Sequence, residues 1–164
     1  MKRKKQIVFL TVTLIIVTLA FTSCTGGGKI SDEQQIEKFL QQAASAIKSL
    51  DPNRIANLYA YPIKVDVYDE IREIDKEYMC SLLVIVTEEF KAYGITITEY
   101  QFRLNEAEIV VTSNGKEAIV YDAKAFIQGA VDGVKQEPEL VYLDPFELVK
   151  RDGKWKFSSD AGFI

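Results

Sequence analysis

Two dipeptides in the C-terminal half of the chain, Asn114-Gly115 and Asp152-Gly153, constrain its fold more than any other feature of the sequence. Asn-Gly and Asp-Gly are the preferred central residues of two-residue β-hairpin turns, in which both residues adopt a positive φ angle. Counting outward from the first turn predicts two cross-strand pairs: Val110 with Ile119, and Glu108 with Tyr121. We therefore expect antiparallel strands on both sides of each turn.

The second hairpin places its large apolar side chains on one face. Its turn pairs Leu148 with Phe157 and Lys150 with Trp155. In this register one face carries four apolar side chains: Phe146, Leu148, Trp155 and Phe157. The agreement between turn and apolar pattern favours this register, because a shift by one residue would turn every apolar side chain to the other face.

Helices are predicted before these strands. Ser31 and Gln34 have the spacing of a capping box, and the apolar residues after them recur at steps of three and four, which is typical of an amphipathic helix. Asp51 followed by Pro52 begins a second, short helix. That helix ends before Pro62, because the residue preceding a proline disfavours helical backbone angles.

A third helix is expected from Asp75 to about Tyr93, where Gly94 ends it. Its centre is apolar around most of its circumference, so we expect it to be the most buried helix. The β-branched residues of segment 82–87 leave a strand as the alternative there. Before this helix, segment 63–69 (IKVDVYD) alternates like a short strand.

Strands dominate the remainder of the chain. Segment 95–104 (ITITEYQFRL) alternates and places Tyr100, Phe102 and Leu104 on one face. Segment 129–138 is predicted to be a longer polar loop. Helices followed by antiparallel strands with tight turns predict a single α+β domain over residues 31–164, with two to three N-terminal helices packed on a mostly antiparallel sheet.

The N-terminus has the pattern of an export signal. Residues 2–5 (KRKK) are basic, and residues 7–21 are apolar and uncharged. This length matches the apolar region of a signal peptide and falls short of the roughly 20 residues that span a bilayer. The segment FTSC that ends at Cys24 resembles the lipobox of bacterial lipoprotein signal peptides, although Phe21 stands where leucine is most usual.

The lipobox resemblance implies that residues 1–23 are a lipoprotein signal peptide, and that Cys24 is the lipid attachment point. Residues 24–30 would then be the lipidated cysteine and a glycine-rich tether, and the domain would lie outside the cytoplasm, anchored to the bacterial cell membrane. An uncleaved membrane helix over residues 7–23 and ordinary signal cleavage are the alternatives. A lipidated Cys24 cannot pair with Cys80, which we expect to be a small buried apolar residue.

The composition excludes several classes of site. Histidine is absent, and Cys24 and Cys80 are the two cysteines of the chain. Histidine-based triads, dyads and general bases are therefore excluded, and we predict no metal site and no cofactor. Four of the 20 basic residues lie at positions 2–5, so the rest of the chain carries 16 basic against 24 acidic residues. Such a domain repels phosphate backbones, and we do not expect a nucleic acid partner.

Two segments carry a further resemblance. The terminal LVKRDGKWKF (148–157) and the helix-to-strand passage SLDPNRIANLYAYPIKV (49–65) look like those of the nuclear transport factor 2-like superfamily, which has a cystatin-like α+β fold. The resemblance implies that a curved sheet wraps around the helices and leaves a cone-shaped pocket. Some members use this pocket for catalysis and others for binding. It also implies a homodimer through the open sheet face as one option.

We interpret the domain as a non-enzymatic module that binds a small apolar ligand or an envelope protein. The residues expected to line its pocket are aromatic: Tyr61, Tyr100, Phe102, Tyr121 and Trp155. Core packing is the alternative for each of them. A small acid–base enzyme, isomerase- or dehydratase-like, is the alternative function, since ketosteroid-isomerase relatives use a tyrosine with two acids. Tyr121 beside Glu108, or Tyr100 near Asp66, supplies such residue types.

Overall fold

A computed structural model describes residues 30–67 and 70–159, without the side chains of residues 66, 67, 70, 71 and 159. The predictions for the signal peptide, Cys24 and most of the tether lie outside these residues. The helices of the described part are α1 (Asp32–Ser49), α2 (Pro52–Ala56) and α3 (Lys76–Ala92). Its strands are β1 (Tyr59–Val67), β2 (Glu70–Ile74), β3 (Ile95–Arg103), β4 (Glu108–Val111), β5 (Glu117–Tyr121), β6 (Lys124–Val131), β7 (Val134–Lys135), β8 (Glu139–Tyr142), β9 (Phe146–Arg151) and β10 (Lys154–Ser159).

Aspartate side chains begin the second and third helices. Asp51 accepts hydrogen bonds from the backbone N–H groups of Asn53 and Arg54 at 2.9 and 3.1 Å, and Asp75 accepts one from Tyr78 at 2.8 Å. These bonds satisfy N–H groups that have no partner within the helix. Both predicted helix starts are confirmed, and segment 82–87 is helical within α3.

The strands form two sheets. The six-stranded sheet has the order β2-β1-β10-β9-β5-β4, and every neighbouring pair in it is antiparallel except β1 with β10. In the second sheet β6 pairs with β3 on one edge and with β7 and β8 on the other. Helix α1 contacts both sheets, and its Ile36 and Leu40 belong to the same buried core cluster as Phe146 and Phe157 of the terminal hairpin. The predicted α+β fold with helices on a curved, mostly antiparallel sheet is thereby confirmed.

Both hairpin registers are confirmed. The strands on either side of Asn114-Gly115 pair Glu108 with Tyr121 and Val110 with Ile119. Those on either side of Asp152-Gly153 pair Lys150 with Trp155 and Leu148 with Phe157. The four apolar residues predicted to share one face are all buried: Phe146, Leu148, Trp155 and Phe157.

The predicted loop over residues 129–138 is wrong. Strand β6 continues to Val131, and Asp132 and Gly133 form a two-residue turn, with φ angles of 50° and 78°, that leads into β7. Gly129 lies within β6, where a Cβ atom would approach the carbonyl oxygen of Thr96 on β3 to 2.8 Å. This glycine therefore permits the close approach of two strands.

The first strand also differs from its prediction. It begins at Tyr59 and includes Pro62, whereas the alternating pattern predicted a start at residue 63. Pairing with β10 explains the difference, because Tyr59 lies beside Phe157 and the Phe157 N–H donates to the carbonyl of Leu58 at 2.9 Å. Helix α2 accordingly ends at Ala56.

Helix α3 is not the most buried helix. It buries Met79, Leu83 and Thr87, whereas seven residues of α1 are buried. The side chains of Val84 and Ile85 are 47% and 57% exposed. Cys80 is half-buried, with its Sγ atom 3.8 Å from Oδ1 of Asn53, so its predicted burial is only partial.

Candidate functional site

An apolar cavity of about 210 Å³ lies between helices α1 and α3 and the sheet that contains β3, β6 and β8. We call it the inner cavity. Each of these elements contributes side chains to its wall. They include Ile47, Leu83, Phe90, Tyr100, Ile127 and Val141. Val141 of β8 is 39% exposed, whereas Ile47, Leu83 and Tyr100 are buried. The inner cavity therefore reaches the surface beside β8.

Two side chains of the inner cavity carry polar atoms, those of Thr87 and Tyr100. The Thr87 hydroxyl donates to the carbonyl of Val84 within α3 at 3.0 Å. Burial raises the pKa of the Tyr100 hydroxyl far above its usual value, so this group stays protonated into the alkaline range. Among the described residues that line the cavity there is no carboxyl group to act with Tyr100.

An irregularity in β3 aims Tyr100 at this cavity. Ile97 and Tyr100 are three residues apart, and in a regular strand such residues face opposite sides. The register with β6 shifts between Ile97 and Glu99, which adds one residue to β3. This shift has the form of a β-bulge, and it turns Ile97 and Tyr100 to the same side.

A wider cleft of about 800 Å³ lies on the other side of Tyr100, between α1 and the C-terminal end of β3. We call it the polar cleft. Its apolar lining is formed by Leu40, Ala44, Tyr100, Phe102 and Leu104. Its polar lining consists of Glu37, Gln41, Ser45, Lys48, Gln101 and Asn105.

Two of the five predicted pocket residues come together. The rings of Tyr100 and Phe102 lie edge to face with 5.5 Å between their centroids, and both line the polar cleft. Leu104 lines it as well, so the three residues predicted to share a face contribute to one cleft. Tyr100 alone of the five predicted residues also lines the inner cavity.

The other three predicted residues lie elsewhere. Tyr61 donates its hydroxyl to the carbonyl of Ala56 at 2.9 Å, and its pKa is raised, first by burial and then by Cys80 and Asp75. Trp155 belongs to the main core and is 4% exposed. Tyr121 is half-buried, on the face of β5 opposite to the buried Val120.

Neither of the tyrosine–acid pairs suggested by the sequence is seen in the inner cavity or the polar cleft of the described structure. Tyr121 lies directly across from Glu108, as the hairpin register predicted, but neither residue lines the inner cavity or the polar cleft. The side chain of Asp66 lies outside the described part of the structure. Within that part, no group of three or more Asp, Glu, Cys or His residues has an arrangement that could hold a metal ion.

Sequence reasoning missed the contribution of α3 and β6 to the inner cavity. A signal was present in α3, because Leu83, Val86, Thr87 and Phe90 follow a spacing of three and four that lines up one helix face. In β6, Ala125 and Ile127 follow the two-residue spacing of one strand face. These patterns show which residues share a face, but not which cavity the face lines.

Comparisons with known proteins bear on the fold. No protein-family model matches the chain, and no curated protein does. Among solved structures, Aln2 from a Streptomyces species matches with a TM-score of 0.58 and 14% identity over 79% of this chain and 88% of that one. ActVI-ORFA from Streptomyces coelicolor gives 0.57 and 14% over 76% and 88%. A nuclear transport factor 2-like protein with a cystatin-like fold from Novosphingobium aromaticivorans gives 0.54 and 12% over 90% and 85%.

These similarities identify the class of fold. The described domain has the nuclear transport factor 2-like, cone-shaped α+β fold that the sequence predicted. At 12–14% identity the similarity concerns the fold and carries no activity with it. Within the described residues, no helix is both long and apolar enough to cross a bilayer.

Proposed function

We propose that this protein is a lipid-anchored, non-catalytic binding protein of the bacterial envelope, and that its inner cavity holds a small apolar ligand. The observation that carries the binding proposal is the chemistry of the cavity wall. Its lining is aliphatic and aromatic, apart from the hydroxyl groups of Thr87 and Tyr100. A largely apolar cavity with a few polar groups is the usual form of a small-molecule site.

The size of the inner cavity limits its ligand. A cavity of roughly 150 Å³ with an apolar wall accepts benzene. At about 210 Å³, the inner cavity has room for a somewhat larger molecule, such as a bicyclic aromatic compound. Indole is therefore a suitable probe.

Binding can be tested by titration calorimetry of the full chain, held in phosphatidylcholine nanodiscs, with empty nanodiscs as the reference. We expect saturable binding of indole. Ala125→Leu adds a side chain to the wall of the inner cavity and should weaken binding at least tenfold, as should Val86→Phe from the opposite wall. Ala92→Leu is the control for Ala125→Leu. It makes the same alanine-to-leucine substitution at an exposed position outside the cavity and should leave the affinity for indole unchanged.

The proposal fails if indole gives no saturable heat with the unmodified chain. It also fails if both cavity variants, shown to be folded by circular dichroism, bind indole as well as Ala92→Leu does. Using two variants on different elements guards against one of them failing to fold.

The anchoring proposal is supported by the basic, apolar and lipobox-like segments of residues 2–24. We expect the purified chain to begin at Cys24 and to carry the mass of attached acyl chains. Cys24→Ser should abolish the added mass and move the protein to the soluble fraction, because two or more acyl chains are needed for stable anchoring. An unmodified cysteine on a chain that begins at Met1 would contradict the proposal.

A further inference from the structure

The polar cleft extends along three turns of α1. The polar lining that α1 contributes recurs at steps of three and four, so it lies along one side of the helix: Glu37, Gln41, Ser45 and Lys48. Glu37 and Lys48 are separated by about 16 Å along the helix axis. A volume of about 800 Å³ over this length gives a mean cross-section of about 50 Å². An extended polypeptide has a similar cross-section, because neighbouring strands are about 4.8 Å apart and stacked sheets about 10 Å apart.

The two ends of the polar cleft carry opposite charges. Glu37 lies in the second turn of α1 and Lys48 in its last turn, and both are exposed. Within the part of the chain that the structure describes, neither of them forms an ion pair with another residue. The other described residues that line the cleft are uncharged. A ligand that spans the cleft would therefore meet a carboxylate at one end and an ammonium group at the other.

The lining between these two charges suits a peptide backbone. The side-chain amides of Gln41, Gln101 and Asn105 can each donate and accept hydrogen bonds, as a peptide group does. Nε2 of Gln101 donates to Oε1 of Glu99 at 2.5 Å, which holds this amide in place. The apolar lining offers contacts to small side chains of a ligand, and it consists of Leu40, Ala44, Tyr100, Phe102 and Leu104.

We infer that the polar cleft is a second binding site, and that it takes a short peptide with free termini in an extended conformation. The α-ammonium group of the peptide would lie at Glu37 and its α-carboxylate at Lys48. Five extended residues span about 17 Å, which matches the separation of the two charges, whereas three residues span about 10 Å. The site is separate from the inner cavity, so this inference goes beyond the proposed binding of an apolar ligand and does not depend on it.

Titration calorimetry with penta-alanine tests the inference, using the full chain in phosphatidylcholine nanodiscs and empty nanodiscs as the reference. We expect saturable binding that is at least tenfold tighter than the binding of tri-alanine, which is too short to reach both charges. Acetylation of the N-terminus and amidation of the C-terminus should together weaken the binding of penta-alanine at least tenfold, because both charges of the ligand are then lost.

Matched variants assign each end of the peptide. Glu37→Gln should weaken penta-alanine binding at least threefold, and N-acetylation of the peptide should then cause no further loss. Lys48→Gln should have the same effect, with C-amidation in place of N-acetylation. Glu33→Gln and Lys38→Gln are the controls, because both residues are exposed on α1 and do not line the polar cleft. Both control variants should leave the affinity for penta-alanine unchanged.

The inference is overturned if penta-alanine gives no saturable heat, or if tri-alanine or the doubly blocked peptide binds as tightly. It is also overturned if N-acetylation weakens binding to Glu37→Gln as much as to the unmodified chain, since the ammonium group would then bind elsewhere. Ala125→Leu, which changes the wall of the inner cavity, should leave penta-alanine binding unchanged, and a loss there would place the peptide in the wrong space.

Indole separates this inference from the proposed function. Glu37→Gln and Lys48→Gln should bind indole as the unmodified chain does, which also shows that both variants are folded. Absence of peptide binding together with normal indole binding would overturn this inference alone. Absence of indole binding together with normal peptide binding would overturn the proposed function alone.

Discussion

Tyr100 contributes to several features of this molecule at once. It is 7% exposed, packs edge to face on Phe102 and forms part of the wall of both the inner cavity and the polar cleft. Its position depends on the shifted register between Ile97 and Glu99. Tyr100 thus lies at the junction of an apolar and a polar space, and burial raises the pKa of its hydroxyl.

Burial of this hydroxyl predicts a loss of stability at alkaline pH. The pKa of Tyr100 in the folded state is raised above its unfolded value of about 10. The contribution of the protonated Tyr100 hydroxyl to the free energy of unfolding is therefore fully present below about pH 10. It is lost as the pH rises above that value, because the unfolded state then releases the proton first. We expect the free energy of unfolding, measured by denaturant titration, to fall above about pH 10.

Tyr100→Phe should make this alkaline loss smaller, because the substituted ring has no proton to release. Tyr61 also has a raised pKa, so Tyr61→Phe should reduce the loss further in the double variant. Tyr93→Phe is the matched control, since Tyr93 is 69% exposed. Identical pH profiles for Tyr100→Phe and Tyr93→Phe would contradict the prediction.

Lys150 joins three parts of the fold. Its Nζ atom lies 2.6 Å from Oδ1 of Asp32, at the start of α1, and 5.2 Å from the centroid of the Trp155 ring. Both ends of the ion pair are partly shielded, with side chains 21% and 32% exposed. Lys150 thereby holds the first helix to the terminal hairpin.

We expect Lys150→Ala to lower the free energy of unfolding by about 1–2 kcal/mol, since it removes an ion pair and a cation–π contact. Lys154→Ala, at an exposed position of the same hairpin, should change it by no more than about 0.5 kcal/mol. Denaturant titration of both variants gives the comparison. Equal effects would show that Lys150 contributes nothing beyond an ordinary surface lysine.

At the scale of elements, the faces of α3 are unequal. Leu83 is 4% exposed and belongs to the main core, whereas Ile85, two residues on, is 57% exposed. Leu83→Ala should lower the free energy of unfolding by about 2–5 kcal/mol, which is the usual range for a buried leucine. Ile85→Ala should change it by no more than about 0.5 kcal/mol. A larger loss at Ile85 than at Leu83 would mean that α3 packs on its other face.

The elements also show why some of the fold follows from the sequence and some does not. The hairpins at Asn114-Gly115 and Asp152-Gly153 were predictable, because turn chemistry and strand alternation are local. The turn at Asp132-Gly133 carries the same signal, and it was concealed by the polar residues around it. Its prediction as a loop was an error of interpretation rather than a missing signal.

Only part of the candidate site could be predicted from the sequence, because its geometry depends on contacts between residues far apart in the chain. The alternation of β3 predicted the common face of Tyr100 and Phe102. Ile97 faces the same side of β3 as Tyr100 only because the register with β6 shifts between these residues. The sequence of β3 does not reveal this shift. Likewise, the apolar circumference of α3 could not indicate which side would face the sheet, because that depends on how α3 packs against α2 and β3.

At the scale of the whole molecule, the order of the strands differs sharply from their order along the chain. Strand β10, at residues 154–159, lies inside the six-stranded sheet, between β1 and β9. Its Trp155 and Phe157 belong to the main core. Without β10, the strands β1 and β9 would each have an unpaired edge within the sheet.

A chain that ends after Arg151 should therefore fail to form the fold. We expect it to lack a cooperative thermal unfolding transition and to aggregate, because open strand edges pair with other chains. A double substitution at two exposed positions of the terminal hairpin, Asp152→Asn in the turn and Lys154→Arg at the start of β10, keeps the strand and should retain the transition. A cooperative transition in the truncated chain would show that β10 is dispensable.

The position of β10 between β1 and β9 determines when the six-stranded sheet can be completed during synthesis. A ribosome makes β1 roughly a hundred residues before β10, and their parallel pairing is formed only when both exist. Lys150 and Asp32 likewise meet across 118 positions of sequence. The growing chain thus cannot complete its six-stranded sheet until β10 has been made. An open chain is what a narrow membrane channel can thread, so late closure accords with the export proposed from the N-terminal segment.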